Sequence, residues 1–453
     1  MGLLALIVLV PIPYGAVEPW WEALFECFVF GLAVLWIVES LLTGSWRITG
    51  FRLMLPLIGL IALLFLQTLP WEDGSLAGDV QSGWHAISAD PYETRRVAIK
   101  LTAYTATLAL MLRFVYSIKR LHLLTLAVIG VGTTSAIFGI ARQMMQKDSS
   151  GFILTHLQPN SGYGQFINAN HFAFLMEMAL PLSLVLILSG KYRREQILVW
   201  LAPAVVMASA IVLANTRGGI LAMVCEVAFL GAMFGVIRSR RQPSDQIRKS
   251  GWRRMINSVA VRLALIIGLI AIFITGVFFI GGEPLSRRLD ERTLTSELTL
   301  DGNGTAPGVR RIDIWRATIE LIKTAPITGS GFGGYSAAIT PYFEYSGKMR
   351  LMQAHNDYLE LAAGGGVIGV GLVIWFGLGI VLAARRNLGA IGRFRRAVCL
   401  GSLAGMLAVA VHSAYDFGLH TPGNAVVLIA LIAMASSRIR VEEKSADACV
   451  ASI

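Results

Sequence analysis

The residues of this chain best suited to chemistry are a histidine and three arginines, each set where polar sequence meets apolar sequence. The stretch 354–371, AHNDYLELAAGGGVIGVG, places His355, Asn356 and Asp357 at the seam between a long polar segment and an apolar span. A neutral imidazole there can accept a proton near neutral pH, as a general base does. A histidine at a helix start is also often no more than a capped or solvated residue. In NTRGG, Arg217 has almost no loop around it, since apolar sequence closes in on both sides. Such an arginine must pair with an anion or face a water-filled cavity, because leaving it in hydrocarbon costs about 2.5 kcal/mol or more. Gly218 and Gly219 remove side-chain bulk beside it, so a ligand can approach the backbone. The alternative is an interfacial arginine that snorkels to the headgroups. Arg310 and Arg311 open the pattern VRRIDIWRATIELIKTA. Cations in a first helical turn oppose the helix dipole, unless an anionic ligand binds both the helix N-terminus and the guanidinium. Contact with lipid headgroups is the competing explanation.

Further polar motifs surround these four. NANHFAF supplies Asn168, Asn170 and His171 at the mouth of an apolar span, and HSAYDFGLH supplies His412, Asp416 and His420. The spacing of His412 and Asp416 is i,i+4, which places both on one face of a helix. The histidines match no H-E-x-x-H pattern and no tight Cys/His cluster, so no metal and no other cofactor is expected. His171 and His412 instead read as hydrogen-bonding residues that support their neighbours. Cys27, Cys225, Cys399 and Cys449 fit neither a disulfide framework nor a metal knuckle. PITGSGFGGYSA is a glycine-rich turn, and with no Gly-Lys-Ser/Thr after it a phosphate-binding P-loop is excluded.

The elements that must position these residues follow from composition. Of 453 residues, 55% are hydrophobic and only 15% charged, the balance of an all-α polytopic membrane protein rather than a soluble domain. About twelve transmembrane helices are predicted, near 2–13, 21–42, 51–69, 97–116, 121–141, 170–189, 196–214, 218–237, 259–281, 356–383, 397–414 and 421–437. They form one integral membrane domain over 1–453, with the long loop 282–355 between the ninth and tenth spans. Basic residues collect on alternate loops, which by the positive-inside rule makes both termini cytoplasmic and 282–355 periplasmic. The net charge of +11 is largely this topogenic bias, so no nucleic-acid partner is expected. Within the long loop, Ile312, Trp315, Ile319 and Ile322 fall on one helical face, predicting an amphipathic helix at the membrane surface. Most of the polar motifs fall on the periplasmic side, and scattered structural residues would have no reason to choose one. Glu26, Glu39, Glu177, Glu226 and Glu360 admit a proton-coupled transporter, but most are expected near span ends and not in a midplane cluster.

The motifs NANHFAFLMEMALPL, NTRGGILA, RRIDIWRATIELIKTAPITGSGFGGY, HNDYLELAAGGGVIG and HSAYDFGLHTPGNA occur in that order from residue 168 to about 425. In this order and on one side, they resemble the superfamily of O-antigen ligases and polymerases. The resemblance implies a metal-independent, inverting glycosyltransferase of the bacterial inner membrane, working at its periplasmic face. Such an enzyme takes a glycan from an undecaprenyl-diphosphate carrier within the membrane lipid and passes it to a glycan or lipid A-core acceptor. A chain-length regulator is a further partner that a polymerase admits. Carried over by motif, Arg217 and Arg311 bind the donor diphosphate, with Arg310 adjoining where a single arginine is expected. His355 deprotonates or orients the acceptor hydroxyl. Asn168, Asn170, His171, Asn356, Asp357, His412 and Asp416 support that group. The motifs do not separate polymerase from ligase, and a lipid-linked glycan or solute transporter is the alternative class.

Overall fold

The computed structural model describes residues 2–46, 49–71, 85–145, 162–189, 194–239, 268, 311–344, 346, 350–389 and 392–439. Among the described residues, eight helices precede the long loop. They are α1 (Gly2–Leu9), α2 (Pro19–Thr43), α3 (Phe51–Gln67), α4 (Pro91–Phe114), α5 (Ile118–Met144), α6 (Ala169–Leu188), α7 (Arg194–Leu213) and α8 (Arg217–Ser239). Within that loop lie α9 (Arg311–Thr324) and the short α10 (Tyr335–Ala338), and after it come α11 (Asp357–Leu388), α12 (Arg393–His412) and α13 (Pro422–Ser436). Among the described residues the only sheet is an antiparallel pair of two-residue strands, Pro70–Trp71 with His85–Ala86.

This is a polytopic α-helical membrane protein. Eight of the described helices are long and apolar enough to cross a bilayer. Each predicted span except the ninth coincides with a helix, but α1, α3 and α13 are shorter than a full crossing. The ninth, 259–281, lies outside the described residues apart from Gly268.

Helix α6 is the axis of the bundle. It is predominantly apolar, as suits a helix that neighbours enclose on every side, and Asn170 is its one residue that is not buried. Small residues bring α12 onto it: a Cβ on Gly401 would stand 3.0 Å from the Pro181 carbonyl oxygen, and one on Gly405 3.2 Å from the Met178 Cα. Close backbone approach of this kind is how helices gain contact in lipid, where no hydrophobic force separates helix from solvent. Gly132 of α5 lies equally close to Ala179.

Helix α11 is broken inside its apolar stretch. Gly366 has φ 56° and ψ −160°, a conformation essentially reserved for glycine. Backbone groups freed within a bilayer must find partners in the protein, and here the glycine-rich turn supplies them. Val367 N donates to Pro326 O (2.9 Å), Ser330 N to Ala363 O (2.8 Å) and Gly331 N to Gly364 O (3.1 Å). Gln67 of α3 adds a double link, donating to Thr328 O at 2.7 Å and Gly364 O at 2.8 Å. The glycines after His355 therefore admit a loop rather than another helix.

The face of α9 differs from the predicted one. Ile314, Ala317, Thr318 and Leu321 are its buried residues, whereas Ile312 is 40% and Ile319 43% exposed. Two apolar stripes share this helix, and packing against Tyr335, Ile339 and Ala363 selects the one centred on Ile314 and Leu321.

Gly366→Ala should lower the thermal stability of the purified protein by about 1–3 kcal/mol or more. The added Cβ would meet Ile327 O at 2.3 Å as well as a forbidden φ. An unchanged melting temperature would show that the break is not held as described.

Candidate functional site

Four polypeptide segments converge on one end of the bundle: the starts of α6, α8 and α9, and the bend entering α11. The turn from α12 to α13 closes over them. Its central residue is Asp416, 1% exposed. Phe417 N donates to Asp416 Oδ1 at 2.8 Å, and Asn170 Nδ2 donates to Asp416 Oδ2. His355 Nδ1 stands 3.6 Å from Oδ1, an ion-pair rather than a hydrogen-bond distance, and Arg311 Nη2 stands 3.8 Å from Oδ2. Burial alone disfavours the Asp416 carboxylate. The approach of His355 and the charges of His171 and Arg311 outweigh it and hold the carboxyl well below its usual range.

The backbone presents His355 under strain. Its φ is +50°, in the left-handed region that non-glycine residues rarely occupy. Both neighbours are anchored. Ala354 O accepts from Trp315 Nε1 at 3.1 Å, and Ala354 N donates to Glu360 Oε2 at 3.0 Å. Asn356 caps α11 by accepting from Tyr358 N and Leu359 N, and its amide donates to Ala414 O at 3.0 Å. A strained residue that its surroundings over-determine is a frequent mark of a working site. The His355 ring meets the edge of Phe417 at 4.9 Å, and His171 meets the same ring at 4.9 Å.

The remaining sequence-predicted residues surround this centre. Asn168 caps α6 through Asn170 N. His171 Nδ1 is 3.0 Å from Thr421 Oγ1, and Asn424 Nδ2 donates to the His171 carbonyl at 2.9 Å. Asp357 accepts from Ser413 Oγ at 2.7 Å. His412 ends α12 and lies 2.8 Å from Glu177 Oε1, with its ring stacked on Phe174. The helix predicted to carry His412 and Asp416 together stops at His412, and a single further turn carries the contact, Asp416 N donating to His412 O at 3.1 Å. Arg217 is half-buried at the first position of α8. The next residue, Gly218, lies directly against the His412 ring. Arg310 lies outside the described residues.

Four further residues make contacts or reach positions that no local sequence pattern shows. Phe417 is the ring on which His171, His355 and His420 all converge. His420 Nε2 is 3.5 Å from Asp357 Oδ1 and 3.6 Å from Glu360 Oε1. Glu177 and Glu226 sit near the middle of α6 and α8, and both are fully buried. Glu26, Glu39 and Glu360 lie nearer the ends of their helices, as expected for most of the span carboxyls. Among the described residues, no three His, Cys, Asp or Glu side chains form a metal-holding group.

A multi-pass membrane bundle whose polar residues concentrate at one end, with a carboxylate between an imidazole and a guanidinium, defines the class. Residues 202–376, the part carrying Arg217, Arg311 and His355, match the family model described as O-Antigen ligase. The match supports assigning the chain to the O-antigen ligase/polymerase family, whose general activity is glycan transfer at a membrane. No curated protein matches the chain.

Asp416→Asn should destabilise the protein in a pH-dependent way. The folded carboxyl titrates below its unfolded value of about 3.9, so its stabilisation is complete above that value and fades as pH falls through the lower folded value. The melting-temperature gap between wild type and the variant is expected to be widest near neutral pH and to shrink below about pH 4. A gap independent of pH would refute the charged role of Asp416.

Proposed function

We propose that this protein transfers a glycan from an undecaprenyl-diphosphate-linked donor to an acceptor hydroxyl at the periplasmic face of the inner membrane. The observation that carries the reading is the contact of Asp416 with both His355 and Arg311, within a chain whose matched region holds both residues. With Nδ1 turned toward Asp416, His355 has Nε2 left for the acceptor. A carboxylate behind the ring fixes its orientation and steadies the imidazolium that proton uptake creates. The acceptor oxygen forms its bond to the anomeric carbon as the carbon–oxygen bond to the diphosphate breaks. The electron pair departs on the phosphate, and the hydroxyl proton passes to His355. Attack from the face opposite the leaving group inverts the anomeric centre.

Arg217 and Arg311 supply the charge that the departing diphosphate needs, without a metal ion. Arg311 can hold Asp416 and a phosphate together, because a guanidinium presents five donors. Its place at the start of α9 adds the partial positive charge of the helix N-terminus. The lipid-linked donor, the glycan or lipid A-core acceptor and a chain-length regulator are the partners of this reading, and both chain termini lie in the cytoplasm.

The competing reading is a transporter of lipid-linked glycan or solute, and the mid-helix carboxyls of Glu177 and Glu226 are its support. One variant separates the two. His355→Ala should insert normally yet lose transfer by about a hundredfold or more, and wild-type rates in that variant would end the catalytic assignment. Arg217→Ala and Arg311→Ala should each cost roughly a hundredfold, far more than Arg310→Lys. Purified protein is then incubated with an undecaprenyl-diphosphate oligosaccharide, with and without lipid A-core. A ladder formed without core marks a polymerase, and a single shifted core band marks a ligase. Loss of transfer on adding EDTA would contradict the metal-independent mechanism.

A further inference from the structure

Below the polar end, the bundle encloses three ionisable side chains that take no direct part in the proposed glycan transfer. Glu177 and Glu226 are each 0% exposed, and His412 is 1% exposed. His412 Nδ1 lies 2.8 Å from Glu177 Oε1. Two glycines let α8 close over this pair. A Cβ on Gly218 would stand 2.5 Å from the His412 ring, and one on Gly219 would stand 2.4 Å from Thr216 Oγ1 and 3.2 Å from Glu177 Oε1. The Thr216 hydroxyl and the Glu177 carboxyl therefore border the same space. Glu226 lies seven residues beyond Gly219 on α8, and so on the same helical face as the glycine that borders Glu177. Both Glu226 oxygens, Glu177 Oε2 and Thr216 Oγ1 are buried with no hydrogen-bond partner among the described residues.

This arrangement cannot carry two negative charges. Neighbouring carboxylates in an apolar interior disfavour joint ionisation, and hydrocarbon on the outside of the bundle offers no solvation. The contact with His412 gives the Glu177 carboxyl a partner and leaves Glu226 with none. A proton resolves the imbalance, because a neutral carboxylic acid needs no counter-charge in an apolar interior. We propose that Glu226, Glu177 and His412 form a proton-binding site inside the membrane that holds one proton on the carboxyl pair in the resting protein.

Its position ties it to the polar end. Helix α6 carries Asn170 and His171, and α8 begins with Arg217. His412 O accepts from both Tyr415 N (2.8 Å) and Asp416 N (3.1 Å). The proton thus sits where three helices and the Asp416 turn are clamped together. Among the described residues, the ionisable groups around it are Glu177 from α6 and His412 from α12, and His412 in turn feels Asp416, His171 and Arg311. Helix α7 contributes no ionisable residue beyond Arg194 and Glu195 in its first turn. The site stands whether or not His355 acts as a base.

Infrared difference spectroscopy of the purified protein in lipid nanodiscs reads this proton directly. Near neutral pH the wild type should show the carbonyl band of a buried protonated carboxyl, shifted by heavy water. Glu226→Gln should lose the band, and His355→Ala should keep it even where transfer is lost. An unchanged band in E226Q overturns the proposal. So does a sodium-dependent rise in melting temperature that E226Q abolishes, which would assign a cation to the pair. Should E226Q fail to accumulate, Glu177→Gln decides: it should shift the band by changing the acid's neighbour, and an unshifted band overturns the proposal.

Discussion

A buried carboxylate at the end of a membrane bundle must be compensated, and the compensation of Asp416 organises this molecule's polar end. Its two oxygens reach an amide on α6, an imidazole before α11, a guanidinium on α9 and the backbone of its own turn. Removing such partners leaves an uncompensated charge in a low-dielectric setting, which costs several kcal/mol. Four segments far apart in the chain are therefore bound to one another by a single side chain. The same contacts aim the His355 ring and place the Arg311 guanidinium beside it. What stabilises the fold here also arranges the chemistry.

A second constraint acts on the backbone. The glycines at 364–366 break α11, and the bilayer allows such a break only where protein groups replace the lost helical bonds. The turn at 326–331 and Gln67 do so. This docking ties the loop that follows α9 to the helix that follows His355. Arg311 and His355, at the outer ends of those two elements, are thereby held in one frame. Trp315 completes it by donating to the carbonyl just before His355. The glycines act as a seat for another stretch of backbone, not as a cradle for a phosphate.

Much of the architecture was legible from hydropathy alone, because each span repeats a local signal that no distant residue can cancel. Helices α2, α6 and α8 begin and end within a few residues of their predicted bounds. The face of α9 was not legible. With Ile312, Ile314, Ile319 and Leu321 all apolar, helical periodicity offered two stripes, and only the partners Tyr335 and Ile339 chose between them. The approach of His420 to Asp357 and Glu360, and the pairing of His412 with Glu177, were equally hidden. Each depends on helices that meet across more than fifty residues of chain.

The sequence by itself determined the class, the membrane-spanning elements and the short list of residues suited to chemistry. Those properties follow from local composition, from spacing and from the length of apolar runs. Tertiary structure decided which listed residues touch. Asp416, one supporting residue among seven in the sequence, became the centre, because burial and convergent charge exist only once α6, α9, α11 and the α12–α13 turn are packed together. It also decided that Glu177 and Glu226 are both enclosed by the bundle. No periodicity within either helix records that burial, since it is set by the rotation of one helix against its neighbour.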